Sequence, residues 1–146
     1  NDPTACAKRE GQAQVLQQLI SVSIENKKEV ILIGDLNDYD NLIPDMNNDV
    51  PNSMVLDILK GNQGKYNHFS LYSVADKIKQ KHRYTEWYDA NEDCNDDKNE
   101  YSMIDHMLVS KHLYDSIVDV DIAHLYPEGC NTYQSDHYPL LVTFSL

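Results

Sequence analysis

The chain has 146 residues, with Lys+Arg 12 against Asp+Glu 24 and a formal net charge of −12. A protein that grips nucleic acid by general electrostatics is basic, and this chain is not; an acidic chain can still cut a polyanion where metal ions offset local charge and basic residues lie elsewhere. Its length sets a prior of one domain able to bury a core, and no apolar run approaches the ~20 residues of a membrane span. The opening Asn1-Asp2-Pro3-Thr4 has neither the basic start nor the apolar stretch of a signal peptide.

Ala13, Leu16, Leu19, Ile20 and Ser23 recur at helical spacing among Gln12, Gln14, Gln17 and Gln18. They predict a helix from Cys6 to Ile24 with Thr4 as its N-cap. After the polar turn Asn26-Lys27-Lys28, the unbroken run Val30-Ile31-Leu32-Ile33 predicts a central strand buried on both faces and ending at Gly34. Asp38 to Pro51 is rich in Asp and Asn and reads as a loop, in which Asp38, Asp40, Asp45 and Asp49 form either a solvated acidic cluster, the favoured reading, or oxygen ligands for Ca2+. Asn52-Ser53 is placed to cap a short helix over Met54–Leu59, stopped by Gly61.

Further on, Phe69 to Ile78 reads as helix and Arg83–Tyr88, with alternating aromatics, as strand. Ala90 to Glu100 is an acidic loop without the spacing or glycine of an EF-hand. Met103–Ser110 predicts a strand with Ile104, His106 and Leu108 on one face and Met103, Asp105, Met107 and Val109 on the other. Ile117–His124 is a further strand, Gly129–Gln134 a turn, and Leu140, Val142, Phe144 and Leu146 alternate in a last strand. The order predicts an α+β protein, a mixed sheet with helices on one face. The other sheet face is apolar too, and nothing in the chain covers it.

Three clusters carry chemistry. Gly34-Asp35-Leu36-Asn37-Asp38 follows the buried strand, where ligand sites of α/β sheets favour the carboxyl end. Its carboxylate can hold a metal or a water and its carboxamide can bond a phosphate oxygen, although Gly, Asp and Asn also simply form turns. In Ser135-Asp136-His137-Tyr138-Pro139 a carboxylate adjoins a group that donates to phosphate or moves a proton; the competing reading is a capped turn. Asp105 sits in an apolar strand between Ile104 and His106, a costly place without a partner, and a histidine is a natural one. His106, on the opposite face, reads as structural, and His68, His82, His112 and His124 as structural or surface. Tyr84, Trp87 and Tyr88 read as packing rather than as base-stacking groups.

The order strand–Gly-Asp-x-Asn, apolar-Asp-x-x-x-apolar-Ser, then Ser-Asp-His-x-Pro resembles the C-terminal half of the endonuclease/exonuclease/phosphatase superfamily. Arg9-Glu10-x-Gln12-Ala13, Ser53 and Arg83-Tyr84-Thr85 strengthen the likeness, especially to its secreted bacterial-type nucleases. The resemblance implies one half of a four-layer α/β/β/α sandwich and a metal-dependent phosphodiester hydrolase, a nuclease above all. It implies that Asp35 orients water or a metal-bound water, that Asn37 contacts the scissile phosphate, that Asp136 (with Asp35) ligates the metal, that His137 bonds the phosphate, and that Asp105 buttresses His137. The cofactor implied is Mg2+, or Mn2+ or Ca2+.

The family's N-terminal half supplies an Asn, a metal-binding Glu and a second His, and no Gln-Glu motif precedes Gly34 here. The expected partner is therefore that N-terminal half, joined or separate, besides a nucleic acid or other phosphodiester substrate, with the chain inactive alone. A non-catalytic module that kept the fold, or a lipid or inositol phosphate hydrolase of the same superfamily, are the alternatives. Cys6, Cys94 and Cys130 form no Cys-x-x-Cys pair. A Cys94–Cys130 disulfide, with Cys6 bonded to the missing half, is one arrangement and three free thiols another; the cysteines and the likeness to secreted nucleases point to an extracellular location.

Overall fold

The computed structural model describes residues 3–95, 97–125 and 135–145. Helix α1 runs Pro3–Glu25. It begins at Pro3, whose fixed φ suits a first helical position, so Thr4 lies in the first turn and is not the cap. Lys27, at φ 56, closes the far end, where Lys27 N–H donates to Ile24 O (2.9 Å) and Lys28 N–H to Ser23 O (3.0 Å). That is the paired-bond ending in which a left-handed residue satisfies the last carbonyls.

The buried stripe of α1 is Ala13, Gln17, Ile20 and Ser21, whereas Leu16 and Leu19 are exposed. Gln17 takes the inner position because its amide is fully used: Nε2 donates to Ile58 O (2.8 Å) and to Gln63 O, and Oε1 accepts from Tyr66 N–H (3.2 Å). A buried amide with every bond made costs little. These bonds dock α1 onto helix α2, Val55–Leu59. Ser53 does not take the cap position of α2, which is Met54: its hydroxyl donates to Asp38, and Met54 N–H donates to Glu10 Oε1 at 2.9 Å.

The strands form three small antiparallel sheets rather than one. The first has the order β1 (Ile31–Asp35), β5 (Asp105–Val109), β2 (Tyr72–Ser73); the others pair β3 (Glu86–Trp87) with β4 (Tyr101–Ser102) and β6 (Ile117–Ile122) with β7 (Leu140–Phe144). Leu32 and Leu108 pack on Ala13, Ile20, Leu56 and Leu59 of the helical layer. On the other face Met107 and Val109 pack with Leu113 of the short helix α3 (Lys111–Asp115) and with Val142 and Phe144 of β7.

Three expectations are corrected. Strand β1 is an edge strand, with Ile31 52% and Ile33 62% exposed, and not a central one. Phe69–Ile78 is not an α-helix: extended Ser73 (φ −75, ψ 129) lets Tyr72–Ser73 pair with β5, and its hydroxyl caps a single 3₁₀ turn at Val74–Lys77. The Asp38–Pro51 loop is not simply solvated. Asp38, Asp40 and Asp45 are buried, and Asp40 meets buried Lys60 through both oxygens at 2.8 Å.

Around the acidic loop at 90–100, carboxylates accept hydrogen bonds from the chain itself. Asp89 accepts from Asp93 and Cys94 N–H, and Glu100 accepts from Ala90 N–H and Trp87 Nε1. Cys6 is a free thiol. The expected Cys94–Cys130 pairing and the Gly129–Gln134 turn involve residues outside those described.

Candidate active site

The antiparallel register of β1 and β5 sets Asp35 directly opposite Asp105, and directly opposed residues point to one face of the sheet. Immediately beyond β1 the chain bends: Asn37 has φ 51, a left-handed conformation that Asn tolerates. Strand geometry therefore stops at Asp35, yet the two side chains still meet. Asp35 Oδ1 accepts Asn37 N–H (2.8 Å) and Oδ2 accepts Asn37 Nδ2 (2.9 Å).

Asp105 is held from behind. Thr85, fully buried, accepts Asp105 N–H (3.0 Å) and Ile104 N–H (3.2 Å) on its hydroxyl. The same stretch receives the Ser135–Tyr138 segment: Tyr138 N–H donates to Thr85 O (2.7 Å), Trp87 N–H to Asp136 O (2.9 Å), and Glu86 and His137 form an antiparallel bridge. Buried Tyr138 anchors the segment in the aromatic cluster of Trp87 and Tyr101. This scaffold brings His137 to Asp105, Nδ1 to Oδ2, at 2.7 Å.

The His137 ring is partly burial-limited and partly charge-stabilised. Burial pulls its pKa down; the hydrogen bond to Asp105, that carboxylate's charge, and the charges of Glu86 and Asp136 outweigh burial, so the pKa stands above the ordinary imidazole value. With Nδ1 engaged, Nε2 faces Glu86, whose Oε1 lies 3.9 Å away. Donor atoms of Glu86, Asp136 and His137 all lie within 4.8 Å of one another. Ser102 holds Glu86 in place through a 2.5 Å bond from its hydroxyl to Oε2.

Glu86 escaped the sequence reading. Its signal was a carboxylate between Thr85 and Trp87 in a strand otherwise aromatic. Asp35, read as a second metal ligand, lies outside this donor group and has both oxygens on Asn37. His106 is structural: 2% exposed, it bonds Asp38 O through Nε2 at 2.9 Å. Burial lowers its pKa, against the bond to Asp38 and the charges of Asp40 and Asp105. A cleft of about 620 Å³ adjoins the group, with Asn37, Tyr39, Asp49, Glu86, Glu100 and Ser102 among its walls.

No protein-family model matches the sequence, and no curated protein matches it. Among solved structures the chain is similar to the Xenopus laevis APE2 catalytic domain, with a TM-score of 0.61 and 21% identity over 90% of this chain. The alignment spans 41% of that chain. The residues described here thus share the fold of that catalytic domain, over less than half the length of the structure they resemble.

Proposed function

We propose that this chain carries the Asp–His part of the active site of a metal-dependent phosphodiester hydrolase, a nuclease, completed by a second half that supplies the rest of the cleft. The observation that carries the reading is the 2.7 Å bond between Asp105 and His137, with the carboxylates of Glu86 and Asp136 beside the free edge of the ring.

Asp105 fixes the ring and supports its protonated form, so Nε2 presents a proton to a phosphoryl oxygen. Asn37, clasped to Asp35, offers its amide to the same oxygens. Two carboxylates at one point, held by Ser102 and by the Thr85–Trp87 backbone, suit a hard divalent cation. Glu86 and Asp136 would hold it, with the protonated imidazole left to the phosphate. Bound there, Mg2+ or Mn2+ offsets charge on the phosphoryl oxygens and lowers the pKa of water.

The need for a second half is supported by an apolar groove of about 480 Å³ between α1 and β1, lined by Leu16, Leu19, Ile20, Val30, Ile31 and Ile33. An exposed sheet edge beside apolar side chains is a surface for another chain segment. The N-terminal half of the same fold is the partner proposed for it.

The test is cleavage of plasmid DNA and of bis(p-nitrophenyl) phosphate, with and without Mg2+, by the protein together with its second half. Loss of at least about a hundredfold in kcat is expected for His137→Ala. Metal-independent activity, or full activity in His137→Ala, would refute the reading. A phosphodiester of low charge, such as a lipid headgroup, is the second substrate class. It is favoured by the cleft beside Asn37, whose walls among the described residues include Asp49, Glu86 and Glu100 and no Lys or Arg.

A further inference from the structure

The loop between β1 and α2 holds a pair of carboxylates that the proposed hydrolysis does not use. Asp45 is 4% exposed. Its Oδ1 accepts the N–H groups of Asn47 (3.1 Å) and Asp49 (3.0 Å), so residues 45–49 wrap around it and bring Asp49 alongside. Its Oδ2 is buried and makes no hydrogen bond. A buried carboxylate oxygen without a donor is costly.

Nearby cations are committed elsewhere. Lys60 is paired with Asp40, and Arg83 donates to the carbonyls of Ala75, Ile78 and Pro44. Among the described residues no Lys, Arg or His forms an ion pair with Asp45 or Asp49. Two carboxylates are thus held together with one oxygen orphaned and no positive partner.

We propose that Asp45 and Asp49 form a binding site for a divalent cation of the Ca2+ type, separate from the Glu86–Asp136–His137 group and independent of the hydrolytic reading. The orphaned oxygen is the first ligand and the Asp49 carboxylate the second. Ca2+ is the class that fits, because it accepts carboxylate and carbonyl oxygens in irregular arrangements and keeps waters in the remaining positions. The charges converge in the way such a site requires. Burial, the Asp45 charge and a side-chain hydrogen bond to Asp45 raise the Asp49 carboxyl, so the two groups sit close enough to share one proton or one cation. Burial and the charges of Asp49 and Asp45 likewise raise Tyr39, on the same cleft wall. An ion here would fix the loop that follows Asn37.

The experiment titrates the metal-stripped protein with Ca2+ at pH 7.5, reading thermal unfolding, and with Tb3+, reading tyrosine-sensitised luminescence. Wild type should show a saturable rise in Tm of roughly 5–10 °C at about a hundredfold excess over Kd. Asp49→Asn and Asp45→Asn should abolish the rise, with little loss of Tm in the absence of ion, because each keeps the shape while removing a repelling charge. Asp136→Asn should retain it. No saturable response in wild type overturns the proposal, as does a response that survives Asp49→Asn or Asp45→Asn. A response lost in Asp136→Asn places the ion at the other group and overturns it equally.

Discussion

His137 Nδ1 lies 2.7 Å from Asp105 Oδ2, so the loop before β7 is tied to the first residue of β5 at the point where β1 ends. The bond has two consequences that can be separated. It orients the ring, and it raises the ring's pKa. Asp105→Asn keeps the shape and removes the charge. If His137 works as a protonated donor, kcat should fall by about ten- to a hundredfold with KM little changed. The alkaline limb of the pH–rate profile should also move to lower pH, because without Asp105 the ring loses its proton sooner. An unmoved limb would mean that His137 does not set it.

Glu86 is the second residue to test. It contributes one of the two carboxylates beside His137 and is fixed by Ser102. Glu86→Gln should raise the Mg2+ concentration for half-maximal activity by about tenfold or more while sparing kcat at saturating metal. Ser102→Ala should do the same more weakly, since it frees Glu86 without removing its charge. A metal requirement unchanged in Glu86→Gln would assign the cation to other ligands.

Much of this site was legible because Asp105 stood in an apolar strand, where a carboxylate without a partner is expensive, and because His137 followed an Asp just before a strand. Glu86 was not legible, because its place depends on a bridge between β3 and residue 137 that no local pattern encodes. Gln17 shows the same limit in the core. Helical spacing favoured Leu16 and Leu19 for burial, yet three hydrogen bonds to the α2 region turn Gln17 inward. The Phe69–Ile78 segment failed for a third reason: pairing of Tyr72–Ser73 with β5 overrode a helical-looking pattern.

Acid stability should follow buried His106 and half-buried His124. The folded-state pKa of His106 is lowered, chiefly by burial, and that of His124 is lowered by the same cause. A group depressed on folding contributes stability that is present above its unfolded pKa of ~6.5 and is lost as pH falls through its folded value. His137 has the opposite sign, so its contribution is present in acid and lost as pH rises through its elevated pKa. Tm should therefore drop as pH falls below about 6.5, and the drop should shrink in His106→Gln, a neutral side chain that can still donate to Asp38 O. An equal drop in the variant would show that His106 is not the group being protonated.

The groove between α1 and β1 is lined by the apolar run of β1. Val30-Ile31-Leu32-Ile33 is an unbroken apolar run, and such runs belong to strands covered on both faces. In this chain Leu32 is half-buried against the helical layer, whereas Ile31 and Ile33 stand exposed on an unpaired edge beside Leu19. The strand thus has the composition of an interior element and the exposure of a surface one. Covering it with the second half would remove both the open edge and the apolar patch. Residues 1–146 produced alone should therefore self-associate, read as a concentration-dependent mass in solution, and should be inactive toward plasmid DNA with Mg2+. Ile31→Lys with Ile33→Lys should shift the isolated chain toward monomer without lowering its Tm, since neither side chain is buried in it. The same pair of changes made in the protein with its second half should cut activity by at least about tenfold, because a buried interface cannot accept two unpaired charges. Full activity in that doubly substituted protein would show that the groove is ordinary surface and that the completing half docks elsewhere.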